Sequence, residues 1–394
     1  MSALAVPPVS LIPSLPAELT QQSYREQVMK FPSVLIVGNF LTREGGTTQV
    51  CEELSQKLRR AGHAVTTTSA RKRRISRLAE MLYTTWKYKS SYDVAQVAVF
   101  SGASFIWAEA VCNLLTAIRR PYILTLHGGG LPEFARENNR RVHRLLDSAA
   151  AVTVPSMYLL DTMREYRSDL TLIPNALDIA AYARTEYQIR PRLAWLRAFH
   201  AVYNPMMAPR VLSRLKDEFP SITLMMIGPD KGDSSRAKTM AEARRCGVEA
   251  HLEMHPLVPK EKVPSVLRTA DIFLNTSRID NTPVSVLEAM AAGLCVVSTD
   301  VGGLPYLLES GREALLVPQD DDAAMAAAVR TLLRDQQLAA NIRTAASSKL
   351  RHFDWSVVLP QWQDLLTSVA RRQHHRSVLR MFPNSPRTSP QSAP

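Results

Sequence analysis

No stretch of the 394 residues approaches the roughly 18 consecutive apolar residues that a membrane-spanning helix needs. The apolar pieces between Met1 and Gln21 are broken by Pro7, Pro8, Pro13 and Pro16 and follow no basic leader, so they do not read as a signal peptide. A soluble, cytoplasmic protein is expected. Cysteine is scarce: Cys51, Cys112, Cys246 and Cys295 lie far apart, with no CxxC and no histidine at ligand spacing. That excludes a disulfide scaffold and a cysteine metal site, and leaves free thiols, mostly buried, in a reducing compartment. The chain carries neither GxGxxG nor a Walker sequence, so dinucleotide and P-loop readings lose support. It has no recognised nucleic-acid motif and no repeat of solenoid period, so no nucleic acid is expected as a partner.

Acids are also in deficit. Against 36 Asp and Glu stand 48 Lys and Arg, a net charge of +12. The excess is concentrated. From Lys57 to Lys89 ten basic residues face the single acid Glu80, and the tail from Arg371 onward adds five arginines and no acid. Arg71, Lys72, Arg73 and Arg74, with Arg77, Lys87 and Lys89, are interleaved with Tyr83, Trp86 and Tyr88. Basic side chains among aromatic rings suit an anionic membrane surface, the inner face for a cytoplasmic protein. A merely solvated basic face is the alternative.

The chain is long enough for two cores and apolar enough, at 46% hydrophobic and 21% charged, to bury both. Short Val, Ile and Leu runs alternate with helical patterns, the mark of βαβ units and parallel sheets. Expected strands in the first half are Val34 to Val37, Ala64 to Thr68, Gln96 to Phe100, Tyr122 to Leu126 and Ala150 to Val154. Those in the second are Leu193 to Leu196, Ile222 to Ile227, Ala270 to Leu274 and Leu294 to Val297, with alanine-rich helices from about Asp321 to Lys349. The resulting division is a flexible segment 1–30, a first domain 31–190, a second domain 191–352 and a connecting segment 353–370. A disordered basic tail, 371–394, completes it.

Three stretches carry chemistry. Gly45 and Gly46 follow the first strand and open a helix, where free N–H groups and the helix dipole favour a phosphate. His127 ends the strand Tyr122 to Leu126 and precedes Gly128-Gly129-Gly130, at the strand end where open α/β sheets gather ligands. Asp280-Asn281-Thr282-Pro283-Val284 leads into a helix containing Glu288. Carboxylates at a positive helix end suit sugar hydroxyls, and an acid buried between Leu287 and Ala289 needs partners.

These stretches, with Ile173-Pro174-Asn175-Ala176-Leu177-Asp178, Arg197 and Val301-Gly302-Gly303 in the same order, resemble the family 4 retaining glycosyltransferases of the GT-B fold over roughly residues 34 to 370. The resemblance implies two Rossmann-like doubly wound domains facing a cleft, the second binding the nucleotide-sugar donor and the first facing a glycan or lipid-linked acceptor. A C-terminal helix crosses back to the first domain. It implies that Gly45 and Gly46 contact the donor diphosphate, that His127 lies beside the transferred sugar and that Arg197 neutralises the diphosphate. Glu288 takes the ribose hydroxyls, and Asp280 with the backbone from Asn281 through Thr282 and Pro283 to Val284 holds sugar and phosphate. Such a site needs neither metal nor cofactor, and no Asp-x-Asp stands where it could hold a cation beside the diphosphate. Two departures stand out. Asp280 is one methylene shorter than the family glutamate, and Tyr203 stands near the family lysine, so that either His200, Arg210 or Lys231 supplies the missing charge or the donor diphosphate is held more weakly. The rival readings are a nucleotide-sugar 2-epimerase, a catalytically silent sugar-nucleotide or lipid-binding protein, and a nucleic-acid-binding protein.

Overall fold

The computed structural model describes residues 31–40, 50–71, 73–182 and 188–381. The expected flexible segment 1–30, Gly45, Gly46 and Lys72 lie outside the described residues.

The first half forms a six-stranded parallel sheet of β1 (Val34–Val37), β2 (Val65–Thr68), β3 (Val94–Val99), β4 (Tyr122–Leu126), β5 (Ala151–Val154) and β6 (Leu170–Leu172), in the order β2-β1-β3-β4-β5-β6. The second half repeats the plan with β7 (Arg192–Leu196), β8 (Thr223–Ile227), β9 (Leu252–His255), β10 (Ile272–Asn275), β11 (Cys295–Thr299) and β12 (Ala314–Val317), in the order β12-β11-β10-β7-β8-β9. Both sheets are doubly wound, their order reversing beside the first strand of each half.

Alternation along β1 shows why that strand is apolar throughout. Leu35 and Val37 face the helices Phe105–Ala117 and Asn139–Ser148, while Val34 and Ile36 face the helix Val50–Arg60 and the last helix. A strand covered on both sides has no polar face to show. The last helix, Trp355–Met381, begins beside the second sheet and returns to the first, burying Trp355, Val358, Trp362, Leu366 and Val369 there. Each large apolar side chain so buried contributes about 1.5–3 kcal/mol, which fixes the crossing. The outgoing and returning chains run side by side, with Leu177 N–H donating to the Phe353 carbonyl at 2.8 Å and Trp355 N–H to the Leu177 carbonyl at 3.3 Å.

One expectation is corrected here. Residues 371–381 continue the last helix and are not an irregular tail. The four prolines that suggested disorder begin at Pro383, so nothing in 371–381 interrupts helical hydrogen bonding; residues 382–394 lie outside the description. Cys51, Cys112 and Cys295 are buried free thiols and Cys246 is half-buried. No helix among the described residues is long and apolar enough to cross a membrane.

Candidate functional site

The chemistry-bearing residues gather at the carboxyl ends of the strands, where the two sheets face each other. In the first domain His127 directly follows β4 and is held by its N–H to the Val99 carbonyl at 2.8 Å. Its ring stacks on Phe100 with centroids 5.0 Å apart. Desolvation by burial lowers its pKa to about 4, so the imidazole is neutral at physiological pH. Gly129, two residues on, lies against the second domain: a Cβ there would stand 2.6 Å from the Asp280 carbonyl oxygen. Only glycine allows that approach.

Across the cleft Arg197 follows β7 and pairs with the Asp280 carboxylate, both side chains being largely buried. Burial alone would depress the guanidinium; Asp280 foremost, with Tyr203 and Glu288, more than offsets it, and the group stays charged. Its plane lies over the Tyr203 ring, 4.4 Å from the centroid. Tyr203 is itself positioned through its carbonyl, which accepts from Thr276 Oγ1 at 2.7 Å, while Trp195 Nε1 donates to the same hydroxyl at 2.9 Å. The residue at the lysine position therefore does not replace the charge. It sandwiches the remaining arginine, contributing about 0.5–2 kcal/mol of cation–π attraction.

The loop from Asp280 is fixed from three sides. Asp280 Oδ1 accepts the Asn281 N–H at 3.0 Å. Ser156 of the first domain donates to Asn281 Oδ1, and Asn175 Nδ2 donates to the Thr282 carbonyl at 3.2 Å. Gly302 and Gly303 press from behind, Gly303 N–H donating to the Asp280 carbonyl at 3.1 Å. A Cβ on Gly302 would lie 2.2 Å from that same oxygen, which accounts for the glycine pair after Val301. Pro283 then stands at the N-cap of the helix Val284–Ala291. Two buried polar atoms at this helix and its neighbour, Ser285 Oγ and Arg197 Nε, have no hydrogen-bond partner among the described residues.

Glu288, buried as the flanking apolar residues require, is held through one oxygen. Oε1 accepts from Tyr182 Oη at 2.8 Å and from Lys260 Nζ at 2.7 Å. Lys260 also reaches Glu53 of the first domain at 3.1 Å, so a single ammonium bridges a carboxylate from each side of the cleft. Desolvation opposes its charge, but Glu288 and Glu53 together raise its pKa. Burial raises that of Glu53, which Lys260 only partly relieves, and that of the Tyr182 phenol.

The other candidates lie apart. His200 Nε2 is 3.9 Å from Asp233, Arg210 is paired with Glu242, and Lys231 is exposed. None meets Arg197 or Glu288. Arg71, Arg73 and Arg74 are exposed beside the start of the helix Arg74–Lys87. Arg77 is a correction: it is buried, donating to the Arg71 carbonyl at 2.7 Å and to Asn39 Oδ1 at 3.2 Å, because it lies on the inward face with Met81 and Thr85. It is not part of an open basic surface. Glu53, Tyr182 and Lys260 carry no sequence signal that singles them out; they belong to three separate segments that only the fold brings together.

Comparison with known proteins gives concordant results. The family model described as Glycosyl transferases group 1 matches residues 190–349, and that described as Glycosyltransferase Family 4 matches residues 44–181. Phosphatidyl-myo-inositol mannosyltransferase of Mycolicibacterium smegmatis is 31% identical over 206 residues, 50% of this chain and 52% of the relative. D-inositol 3-phosphate glycosyltransferase of Streptomyces avermitilis is 29% identical over 198 residues, 48% of this chain and 42% of that relative. The chain thus spans about half the length of the curated relatives it matches. Among solved structures, Anabaena HepE in complex with UDP and glucose aligns with a TM-score of 0.71 over 86% of this chain and 100% of that one, at 16% identity. Sucrose-phosphate synthase of Thermosynechococcus elongatus gives 0.73 over 88% and 100%, at 15% identity. The fold is that of the GT-B proteins.

Proposed function

As the chain belongs to the glycosyl transferases of group 1 and family 4, we propose that it is a retaining glycosyltransferase moving a sugar from a nucleotide-sugar donor to a glycan or lipid-linked acceptor. The observation that carries this reading is the arrangement of Arg197, Asp280, the start of the helix Val284–Ala291 and Glu288 on one wall of the cleft, with His127 on the other. When the glycosidic bond to the diphosphate breaks, negative charge grows on the leaving oxygen. Arg197, already fixed by Tyr203 and Asp280, and the backbone N–H groups of the helix start meet it without reorganising. Glu288 keeps Oε2 for ribose hydroxyls while Tyr182 and Lys260 hold Oε1. His127, neutral, offers hydrogen bonding to the sugar and no charge. Charge neutralisation by an arginine and helix dipoles leaves no step that requires a metal ion.

UDP-sugars are the first donors to try, since HepE is seen with UDP and glucose; a lipid-linked acceptor accords with the phosphatidyl-inositol relative. The surface for such an acceptor is the helix Arg74–Lys87 with the residues around it. Ile75 is 87% exposed and Trp86 54%, and Lys87 and Lys89 lie over the rings of Tyr83 and Trp86 at 5.4 and 5.0 Å. Apolar side chains left in water beside lysines and arginines favour peripheral attachment to an anionic membrane, on the cytoplasmic side.

The proposal is tested by titration calorimetry of UDP, GDP and ADP into the native chain and a Glu288→Ala variant. Loss of the carboxylate is expected to weaken the preferred nucleotide by about 1–3 kcal/mol. Equal affinity in a folded variant removes Glu288 from the donor site.

A further inference from the structure

A second cavity lies at the opposite end of the first sheet from the cleft. It has a volume of about 480 Å3 and is bordered by Tyr122 and Ala150, the residues that open β4 and precede β5. Its charged lining comes from four separate segments: Arg119 and Arg120 beyond the helix Phe105–Ala117, Asp147, Arg167 before β6, and Arg372 on the returning C-terminal helix. Arg167 is already committed, forked onto Asp169 and donating to the Ala149 carbonyl at 2.9 Å. The other three are not. Arg119 and Arg120 make no ion pair with a described residue; Arg120 only overlies the Tyr92 ring at 5.8 Å. Arg372 forms no ion pair with a described residue and bonds back to Ser368 of its own helix, at 3.3 and 3.5 Å, while its charge acts on Asp169, the carboxylate that Arg167 holds. Asp147, the one carboxylate in the lining, lies within pairing distance of none of them. Arg119 takes φ +57° as the left-handed residue that closes the helix Phe105–Ala117, with Arg120 N–H donating to the Leu115 carbonyl at 2.9 Å and Arg119 N–H to the Thr116 carbonyl at 3.0 Å.

We propose that this cavity binds a small anion bearing a phosphate group. Three arginines without an ion-pair partner among the described residues, brought to one cavity by two separate segments, match an anion that offers acceptor oxygens on several sides. A carboxylate, planar with two oxygens, would satisfy one such fork. The volume suits a phosphorylated small molecule or a phospholipid headgroup, and both present the same chemistry. Because Arg372 lies on the helix that crosses from the second domain, and Gln373 beside it donates to the Arg119 carbonyl at 3.3 Å, the bound anion ties that helix to the first domain. The site is distant from Arg197 and independent of the donor reading.

The probe is inorganic pyrophosphate, titrated calorimetrically into the native chain, an Arg197→Gln variant that disables the cleft, and an R119Q/R120Q/R372Q variant. Binding at one site is expected to persist in Arg197→Gln and to weaken by about tenfold or more for each cavity arginine removed. R372K, which keeps the charge, retains measurable binding and shows that a loss is not misfolding. Unchanged affinity in the triple variant, or disappearance of all binding with Arg197→Gln alone, overturns the proposal. Vesicles of phosphatidic acid, compared with phosphatidylcholine, then assign the source. Pyrophosphate that releases the native chain from phosphatidic acid, with no such effect in the triple variant, identifies a headgroup; no competition identifies a free phosphorylated ligand.

Discussion

Replacing Lys260 by Met is expected to open the cleft. The ammonium lies 2.7 Å from a Glu288 oxygen and 3.1 Å from a Glu53 oxygen, with its side chain 24% exposed. At an effective dielectric constant near 20, each such pair is worth about 5–6 kcal/mol of Coulomb energy, most of it offset by the desolvation of three charged groups. Methionine keeps the length of the side chain but leaves two carboxylates facing each other with no cation. Removing one partner of a buried pair typically costs about 3–5 kcal/mol, and partial solvent access reduces that here to about 2–4 kcal/mol. The protein can escape this cost without unfolding, because Glu53 belongs to the first domain and separating the domains returns it to water. The penalty therefore appears as a shift of about 30- to 1000-fold toward the open form. Small-angle scattering reads it as an increased radius of gyration, and Glu53→Gln in the same background should restore the closed value. The effect has a pH sign. Burial raises the pKa of Glu53 in the closed form, and more so without Lys260, so the closed form binds more protons and rising pH favours opening. The Lys260→Met chain should be more open at pH 8 than at pH 5.5. An unchanged radius at both pH values, or no rescue by Glu53→Gln, would refute the role given to Lys260.

Three further outcomes follow from the site and surface. His127, with a pKa near 4, should show no titration between pH 5.5 and 8 in NMR spectra; since its folded pKa is depressed, its neutral form contributes stability that is full above about 6.5 and is lost as pH falls toward 4. A resonance titrating near 6.5 would contradict its burial. Transfer should be unaffected by EDTA, and activity abolished by EDTA and restored by magnesium or manganese would contradict charge neutralisation by Arg197 and the helix start. Sedimentation with anionic liposomes at low salt should fall when Arg71, Lys72, Arg73 and Arg74 are changed to Gln, each cation near the surface being worth about 1 kcal/mol; equal sedimentation would return those residues to a solvated face.

How much of this was legible in the sequence depended on locality. Val34–Val37 and Tyr122–Leu126 are central strands, buried on both faces, and their apolar runs, broken only at Thr125, give their limits directly. Of the three strands not expected from the sequence, Ala314–Val317 is an unbroken apolar run that could have been found, whereas Leu170–Leu172 and Leu252–His255 are broken by polar residues and lie at sheet edges. An edge strand buries less, so residues such as Thr171 and Glu253 interrupt its pattern without cost. Likewise the Asp280 to Glu288 stretch is readable because loop and helix are contiguous, whereas Glu53, Tyr182 and Lys260 meet only after two sheets have packed. The tyrosine near the lysine position could be seen, but not that its ring would cover Arg197.

The central claim is donor chemistry in the cleft. The direct measurement is incubation with a panel of UDP-, GDP- and ADP-sugars, following release of the nucleoside diphosphate in the native chain and in Arg197→Ala. Release from one donor class, lowered by about 100-fold or more when Arg197 is removed, is the predicted result; release from none of the panel, or the same rate in both chains, would contradict it.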